Sequence, residues 1–395
     1  MSSQDIAREK LFTRDYVLMC SNNFFLCMSA YIMNPVLPLY LVDSLHLDSG
    51  LVGIVLAIFA IGAMAARPFS GWLADSLPLK LVYLVSGLLY TVFLPFYMAA
   101  PMIILTIMRF FQGICFGVAN TAQNTIAVGL IPGSRLGTGL GIFSALMSLG
   151  MVFGPMLGII SMEHGGFAAV FWLTCIMSVV GTLLCVPVKV RPRAKKAPSR
   201  INLSAMIFKP GITTGLCFSC LILGYGMYGN FVAILARDMG PQFDAGIFYA
   251  LMGVGLIVSR VFAGTLIDKG LMIPLLLCAK VLVAIGTLLL IFVPSLWTFY
   301  IGGFALGMAY GSITPSYQAI IVKMADPSQW GAANSTYLLS FDIGMMFSLL
   351  GGGFVAQFVG YDGMFLSVLI PLALATLWFI FRIVPAIRAR EAAGV

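Results

Sequence analysis

The sequence predicts an all-α membrane protein whose twelve transmembrane helices form two pseudo-symmetric six-helix bundles. Three observations carry that expectation. Of the 395 residues, 61% are hydrophobic and only 9% charged, and the mean hydropathy is +1.03. Soluble domains carry about a quarter charged residues, so the missing surface charge points to a lipid-facing exterior. The chain also contains twelve apolar runs, and a spanning helix needs about 20 such residues. Finally, residues 53–75 return at 246–268 without a gap, 193 positions later, with 9 identities in 23 positions. A fixed-offset echo of that length marks two similar halves.

In chain order the runs cover roughly 16–41, 50–74, 81–99, 102–128, 137–161 and 167–188, then 207–236, 245–267, 271–293, 297–323, 331–358 and 363–385. Between the sixth and seventh lies a stretch of opposite character. Residues 189–209 hold seven basic side chains (189, 191, 193, 195, 196, 200, 209) and no acid. The expected division is therefore a first half at 1–188, a basic cytoplasmic linker at 189–209 and a second half at 210–395. The polar segment 1–15 and the length of the first apolar run do not match a cleaved signal peptide.

Basic residues orient the chain, since Lys and Arg concentrate on the cytoplasmic side. With both termini cytoplasmic, 19 of the 22 Lys and Arg fall inside; Arg237 is outside, and Arg109 and Lys280 lie within spans. The +8 net charge then reflects cytoplasmic loops beside an anionic leaflet rather than nucleic-acid binding. The expected location is the inner (plasma) membrane, multi-pass, as a monomer.

Enzyme chemistry finds little footing. The eight Cys all sit in apolar runs, and Cys217-x-x-Cys220 falls in the middle of a predicted helix. There it reads as packing, because free Cys behaves as a small buried hydrophobe. The two His, His46 and His164, lie in short predicted loops far apart in sequence. No metal centre, cofactor or phosphate-cradling loop is expected, so a transport function would draw on an ion gradient.

The echoed turn and the six-plus-six plan resemble the major facilitator superfamily over essentially the whole chain. After the second helix that family has Gly-x-x-x-Asp-Arg-x-Gly-basic-basic. Gly71, Asp75 and Lys80 are present here, while Ser76, Pro78 and Leu79 stand at the Arg, second Gly and first basic positions. The resemblance implies a gating role for Arg67, Gly71, Asp75 and Lys80, and for their counterparts Arg260, Gly264 and Asp268. Arg109-Phe-Phe-Gln112-Gly113 looks like the family's Arg-x-x-Gln-Gly signature in the fourth helix. In the fifth, Gly141, Gly150, Gly154, Pro155 and Gly158 are similar to the antiport motif of proton-coupled exporters, with Ile159 in place of the last Gly. The eleventh helix offers only Asp342-Ile-Gly344, with Phe347-Ser348 where Gly-Pro would stand. Asp244-Ala-Gly-Ile-Phe248 adds a resemblance to bacterial drug and metallophore exporters.

Ionisable groups at membrane depth are expensive and are functional candidates by default. Asp342 is the one acid at that depth, and a buried carboxyl that takes a proton from one side and releases it to the other fits proton coupling. A permanently paired Asp holding helices together is the competing reading. Arg109 begins a polar stripe with Gln112, Phe116, Asn120 and Asn124 at helical spacing. It serves either coupling or a structural hydrogen-bond set with Gln112. Lys280 is expected to snorkel to the inner interface along its aliphatic stem.

Substrate-binding candidates come from helices one, four, seven and ten, which line the cavity in the family: Asn22, Asn23, Tyr31, Gln112, Asn120, Tyr225, Tyr228, Asn230, Tyr310, Thr314 and Gln318. Helix seven, with Gly224-Tyr-Gly226-Met-Tyr-Gly229, is expected to be flexible. Singly, each polar residue is more often a satisfied packing residue. Together, four polar faces favour a mid-membrane site at the repeat interface. Amides, phenols, one cation and one anion suit an amphipathic or zwitterionic organic molecule. The reading is a secondary active, proton-coupled exporter of drug or metallophore type, working by alternating access, with protons, a small-molecule substrate and the bilayer as partners. The alternatives are a sugar or organic-acid importer on the same fold and a ligand-binding membrane protein without flux.

Overall fold

A computed structural model describes residues 11–98, 101–132, 136–190, 207–292, 295–325 and 329–392. Most of the basic linker therefore lies outside the described residues. Among those described, the chain is helical throughout with no strand. Backbone polar groups in a bilayer have no water to bond, and a helix satisfies them within its own segment.

The elements are α1 (Arg14–Asp43), α2 (Ser49–Ser76), α3 (Leu79–Val92, followed by a 3-10 turn Pro95–Met98) and α4 (Met102–Leu130). The run Leu136–Leu184 is broken at Gly166 (φ 65°) into α5 (136–165) and α6 (167–184). The second half continues with α7 (Ile212–Met239), α8 (Ala245–Asp268), α9 (Met272–Phe292) and α10 (Leu296–Lys323). Trp330–Ser367 is broken at Gly360 (φ 73°) into α11 (330–359) and α12, which runs from 361 through Leu369–Trp378 and a π-helical turn at Phe379–Ile383 to Val384–Ala392. This is the expected twelve-helix count. The fifth–sixth and eleventh–twelfth connections shrink to single left-handed glycines, a conformation that side-chain-bearing residues rarely adopt.

Helix starts are set locally. Asp48 caps α2 by accepting from the Leu51 N–H at 2.9 Å. Asp244 caps α8 by accepting from the N–H groups of Gly246 (2.6 Å) and Ile247 (3.2 Å). A capping carboxylate satisfies amides that the first helical turn leaves free, which gives the Asp244–Phe248 stretch a structural purpose. Ser295 and Thr298 form a reciprocal capping box at the start of α10.

Two compact units emerge, one from Met1–Val36 with Ile58–Ile201, the other from Leu37–Ala57 with Asn202–Val395. In the first, α2 and α4 meet backbone to backbone: a Cβ at Gly62 would fall on the Phe110 carbonyl, at Gly113 on that of Phe59, and at Gly117 on that of Ala63. In the second, α8 and α10 meet the same way at Gly255, Gly307 and Gly311, against the carbonyls of Phe304, Met252 and Leu256. Small residues permit such approach in membrane helices. The echoed Gly62 and Gly255 thus hold equivalent seams.

Exposed apolar side chains recur every three or four residues on α3 (Val85, Leu88, Leu89, Val92), α6 (Trp172, Ile176, Val179, Leu183), α9 (Val281, Ile285, Leu288, Phe292) and α12 (Ile370, Leu374, Leu377, Phe381). Patches of that extent are a liability in water and the expected lipid face of a spanning bundle.

Candidate functional site

In the N-terminal unit the polar groups gather around Arg109 of α4, which is 8% exposed. Its guanidinium lies over the Phe59 ring of α2 at 4.6 Å, and Nη1 donates to the Tyr97 hydroxyl at 3.5 Å. Tyr97, on the 3-10 turn after α3, donates in turn to Gln112 Oε1. Arg109 has no carboxylate partner among the described residues, and its Nε makes no hydrogen bond. The cation is instead held by a ring face and a phenol, an arrangement that gains strength once water is excluded. Further along α4, Asn120 is half-buried and Asn124 exposed, and Asn124 Nδ2 donates to the Asn120 carbonyl (2.7 Å) and Oδ1 (3.1 Å). The sequence stripe is real, but its buried and open ends differ: a closed Arg–Tyr–Gln knot and an accessible amide pair.

Two of the candidates on α1 are committed elsewhere. Asn22 is fully buried and donates to the Tyr83 hydroxyl (2.5 Å) and the Gly181 carbonyl (2.6 Å), tying α1 to α3 and α6. Asn23, also fully buried, donates to the Phe143 carbonyl of α5 at 2.9 Å. Tyr31 is half-buried and packs on α5, where a Cβ at Gly154 would lie 2.7 Å from the Tyr31 Cβ. Gly150 and Gly158 face α1 backbone likewise, at Phe24 and Ile32, and Pro155 is buried beside them. The helix-five motif is thus the seam along which α1 and α5 touch.

In the C-terminal unit the candidate tyrosines form an aromatic wall. Tyr225 of α7 lies 5.1 Å from Tyr310 of α10 and 6.2 Å from Phe341 of α11, ring centre to ring centre. Tyr228 stacks on Phe365 at 5.4 Å and shares a 2.5 Å hydrogen bond with Thr287 of α9. Arg260 of α8 acts electrostatically on both Tyr225 and Tyr337. Asp342, one residue beyond Phe341, is half-buried. Asn230 donates to its own helix at the Gly226 carbonyl, 2.8 Å away, and Thr314 to the Tyr310 carbonyl at 3.0 Å. Gln318 is exposed and donates to Asn334 Oδ1 at 2.8 Å.

Helix seven carries the Gly224–Gly229 segment. It is one continuous helix, and two of its glycines serve contact: a Cβ at Gly224 would meet the Tyr310 hydroxyl and Val368, and one at Gly226 the Ser348 hydroxyl. Lys280 corrects the sequence reading. It does not snorkel; it is 3% exposed inside the unit, with its Nζ 3.6 Å from the Phe379 ring centre and 5.8 Å from that of Tyr317.

Of the gating candidates, Arg67 and Arg260 are half-buried on α2 and α8, and Lys80 Nζ donates to the Val188 carbonyl at 3.0 Å. Gly71, Asp75, Gly264, Asp268 and the motif residue Gly141 lie on helices, but their surroundings fall outside the described residues. Sequence reasoning missed Phe59, Tyr97 and Tyr337, which become partners only through tertiary contact. It also missed a cluster in the second unit that joins residues 37–57 to α7, α11 and α12. There Asp43 pairs with Arg237, Ser49 bonds Tyr361 at 3.1 Å, and a Cβ at Gly53 would fall 2.9 Å from the Gly353 Cα.

Known proteins share this plan. The family model described as Major Facilitator Superfamily matches residues 19–279 and 214–394. The chain is 27% identical to "Multidrug resistance protein MdtG" of Escherichia fergusonii over 363 residues, covering 87% of this chain and 88% of that protein. It is 24% identical to "Multi-drug resistance efflux pump PmrA" of Streptococcus pneumoniae, covering 93% and 96%. In structure it resembles the nucleoside transporter NupG, with a TM-score of 0.74 over 94% of this chain and all of that one at 15% identity. It also resembles the human organic anion transporter MFSD10, with a TM-score of 0.68 over 92% and 98% at 16% identity. At those identities the two structures speak for the fold alone. The helical plan, the repeated glycine seams and a family match across nearly the whole chain agree: this multi-pass membrane protein belongs to the Major Facilitator Superfamily and is a carrier of small molecules, not an enzyme.

Proposed function

We propose that the protein is a proton-coupled exporter of amphipathic, cationic or zwitterionic organic solutes, of multidrug type, working by alternating access in the inner membrane. The observation that carries this reading is the aromatic wall of Tyr225, Tyr310 and Phe341 in the unit that also holds the half-buried Asp342. Ring faces accept many flat or cationic molecules without demanding a fixed hydrogen-bond pattern, and a carboxylate in the same unit favours positive charge. Multidrug relatives at 24–28% identity over most of the chain support the same assignment. In this scheme Asp342 carries the proton that is exchanged for substrate, since burial favours the neutral form of a carboxyl and a nearby positive charge its ionised form. Arg109, without a carboxylate of its own, contributes a fixed positive charge in the other unit.

The test is transport by the purified protein in liposomes, with ethidium as probe and an imposed pH gradient. Wild type should accumulate ethidium against its gradient and acidify the opposite compartment. Asp342→Asn should still exchange ethidium down its gradient but lose at least tenfold of the gradient-driven accumulation. An unchanged pH dependence in that variant would remove Asp342 from the coupling step. Sugar counterflow without proton movement would favour an importer, and ligand binding without flux a sensor.

A further inference from the structure

The C-terminal unit holds a second buried ionisable group that the scheme above leaves idle. Lys280 sits in the third turn of α9, 3% exposed, and its Nζ has no hydrogen-bond partner. What surrounds it is aromatic and sulfur. From α12 comes the Phe379 ring, 3.6 Å from the nitrogen, and from α10 the Tyr317 ring, 5.8 Å away. From α7 comes Cys217, whose Sγ lies 3.3 Å from the Tyr317 hydroxyl and also donates to the Ala375 carbonyl at 3.3 Å; Cys220 follows one turn on. No carboxylate pairs with it: the described ion pairs join Arg237 to Asp43 and Asp238. Among the described residues, neither Asp342 of α11 nor Arg260 of α8 hydrogen-bonds to it.

A surface Lys in this state would be unremarked, but a buried one is not neutral to the fold. Removal from water penalises the ammonium, while the two ring faces favour it. An apolar residue of similar length would fill the same space without either conflict, so packing alone gives no reason for an amine here. The α9–α12 face beside it is distorted and grooved. α12 turns π-helical at Phe379, a distortion that recurs at functional sites. Against that turn opens a cavity of about 430 Å³ lined by Ile273, Leu277, Ile380, Val384, Pro385 and Arg388. Of its lining residues, Leu277 lies one turn before Lys280 on α9 and Ile380 follows Phe379 on α12.

We propose that Lys280 is a proton-binding site of the C-terminal unit, its amine taking a proton from water that enters along the α9–α12 cavity and returning it to water later in the cycle. The step is a simple transfer: the nitrogen lone pair accepts H⁺ from hydronium, leaving water, and the ammonium later gives H⁺ back to water, with the rings holding the charge in between. The proposal rests on the proton-coupled reading for its place in transport but not for its chemistry.

Two measurements separate those claims. The first needs no substrate: the Nζ resonance of Lys280 in ¹⁵N-lysine-labelled protein in nanodiscs, assigned by its loss in Lys280→Arg, is followed with pH. It should change protonation form within the pH range that drives transport; an Nζ locked in one form throughout that range overturns the proposal. The second is ethidium accumulation in liposomes under a pH gradient. Lys280→Arg, which cannot deprotonate, and Lys280→Met, which cannot bind a proton, should each lose at least tenfold of the driven accumulation while keeping downhill exchange. Wild-type accumulation in both variants likewise overturns it. Lys280→Met should melt no lower than wild type, so a loss of coupling would not be a loss of fold. If wild type moves no ethidium at all, the efflux reading fails, and the titration alone decides for Lys280.

Discussion

A membrane-depth polar residue can hold the bundle together or meet the cargo, and its partners tell which. Asn22 was a substrate candidate by type and position, yet its amide is spent on Tyr83 and Gly181 in a site with no exposure. Asn22→Ala should therefore destabilise the protein by about 1–3 kcal/mol, the cost of leaving buried partners unpaired. The ethidium concentration for half-maximal transport should stay unchanged. A shifted half-maximal concentration with an unchanged melting temperature would return Asn22 to the substrate site. Tyr225 is the opposite case, a ring packed between the rings of Tyr310 and Phe341. Tyr225→Ala should weaken apparent ethidium affinity several-fold, whereas Tyr225→Phe should keep most of it, because a ring face rather than the hydroxyl supplies the attraction. Equal loss in both variants would show that the phenol is what matters.

At the scale of the helices, the glycine motifs resolve into contacts. Gly150, Gly154 and Gly158 let α5 lie against α1, so Gly154→Leu must push the helices apart. Overpacking of that kind costs about 1–3 kcal/mol, visible as a lower melting temperature in detergent. The second unit spreads the same task over both helices. Gly344 on α11 faces Ser219 and Ile222 of α7, while Gly215 and Gly226 on α7 face Ser340 and Ser348 of α11. That reciprocal arrangement explains how α11 dispenses with a full glycine motif. Gly360 is a different kind of glycine: a Cβ there would meet nothing within 4 Å, but its φ of 73° is left-handed. Gly360→Ala should cost about 1–2 kcal/mol through backbone strain alone, and Gly229→Ala, with open space and no such φ, should cost nothing measurable.

For the whole molecule, the predictions concern topology and balance. The Lys and Arg bias predicts both termini on the cytoplasmic side. Cysteines introduced at Ser3 and Ala393 in a cysteine-free variant should react with a membrane-impermeant maleimide only after the membrane is opened. Labelling of either one in intact cells would reverse the orientation. The Asp43–Arg237 pair is about 40% exposed on both sides, where an ion pair contributes about 0–1 kcal/mol. Asp43→Asn should accordingly leave the melting temperature within a degree or two, and any effect on transport rate would belong to the cycle rather than to stability.

Much of the architecture was legible because a membrane makes helix formation a local matter. Each span must bond its own backbone within its own segment, so a run of apolar residues such as 271–293 announces α9 without reference to any neighbour. The echo at 193 residues announced two halves for the same reason, the glycines at 62 and 255 being locally conspicuous. Which polar residue faces what is not local. Lys280 shows the limit: from its place in α9 the flexible stem could reach an interface, and only the packing of Phe379 and Tyr317 around it, residues 99 and 37 positions away in the chain, turned it inward. The knot at Arg109 was half visible, since Gln112 lies one turn along the same helix, but Phe59 and Tyr97 arrive from other elements. Hydropathy and periodicity thus decide the number, length and membrane placement of the helices. Side-chain partnership is decided by rotation and approach between helices, energies that no single segment contains.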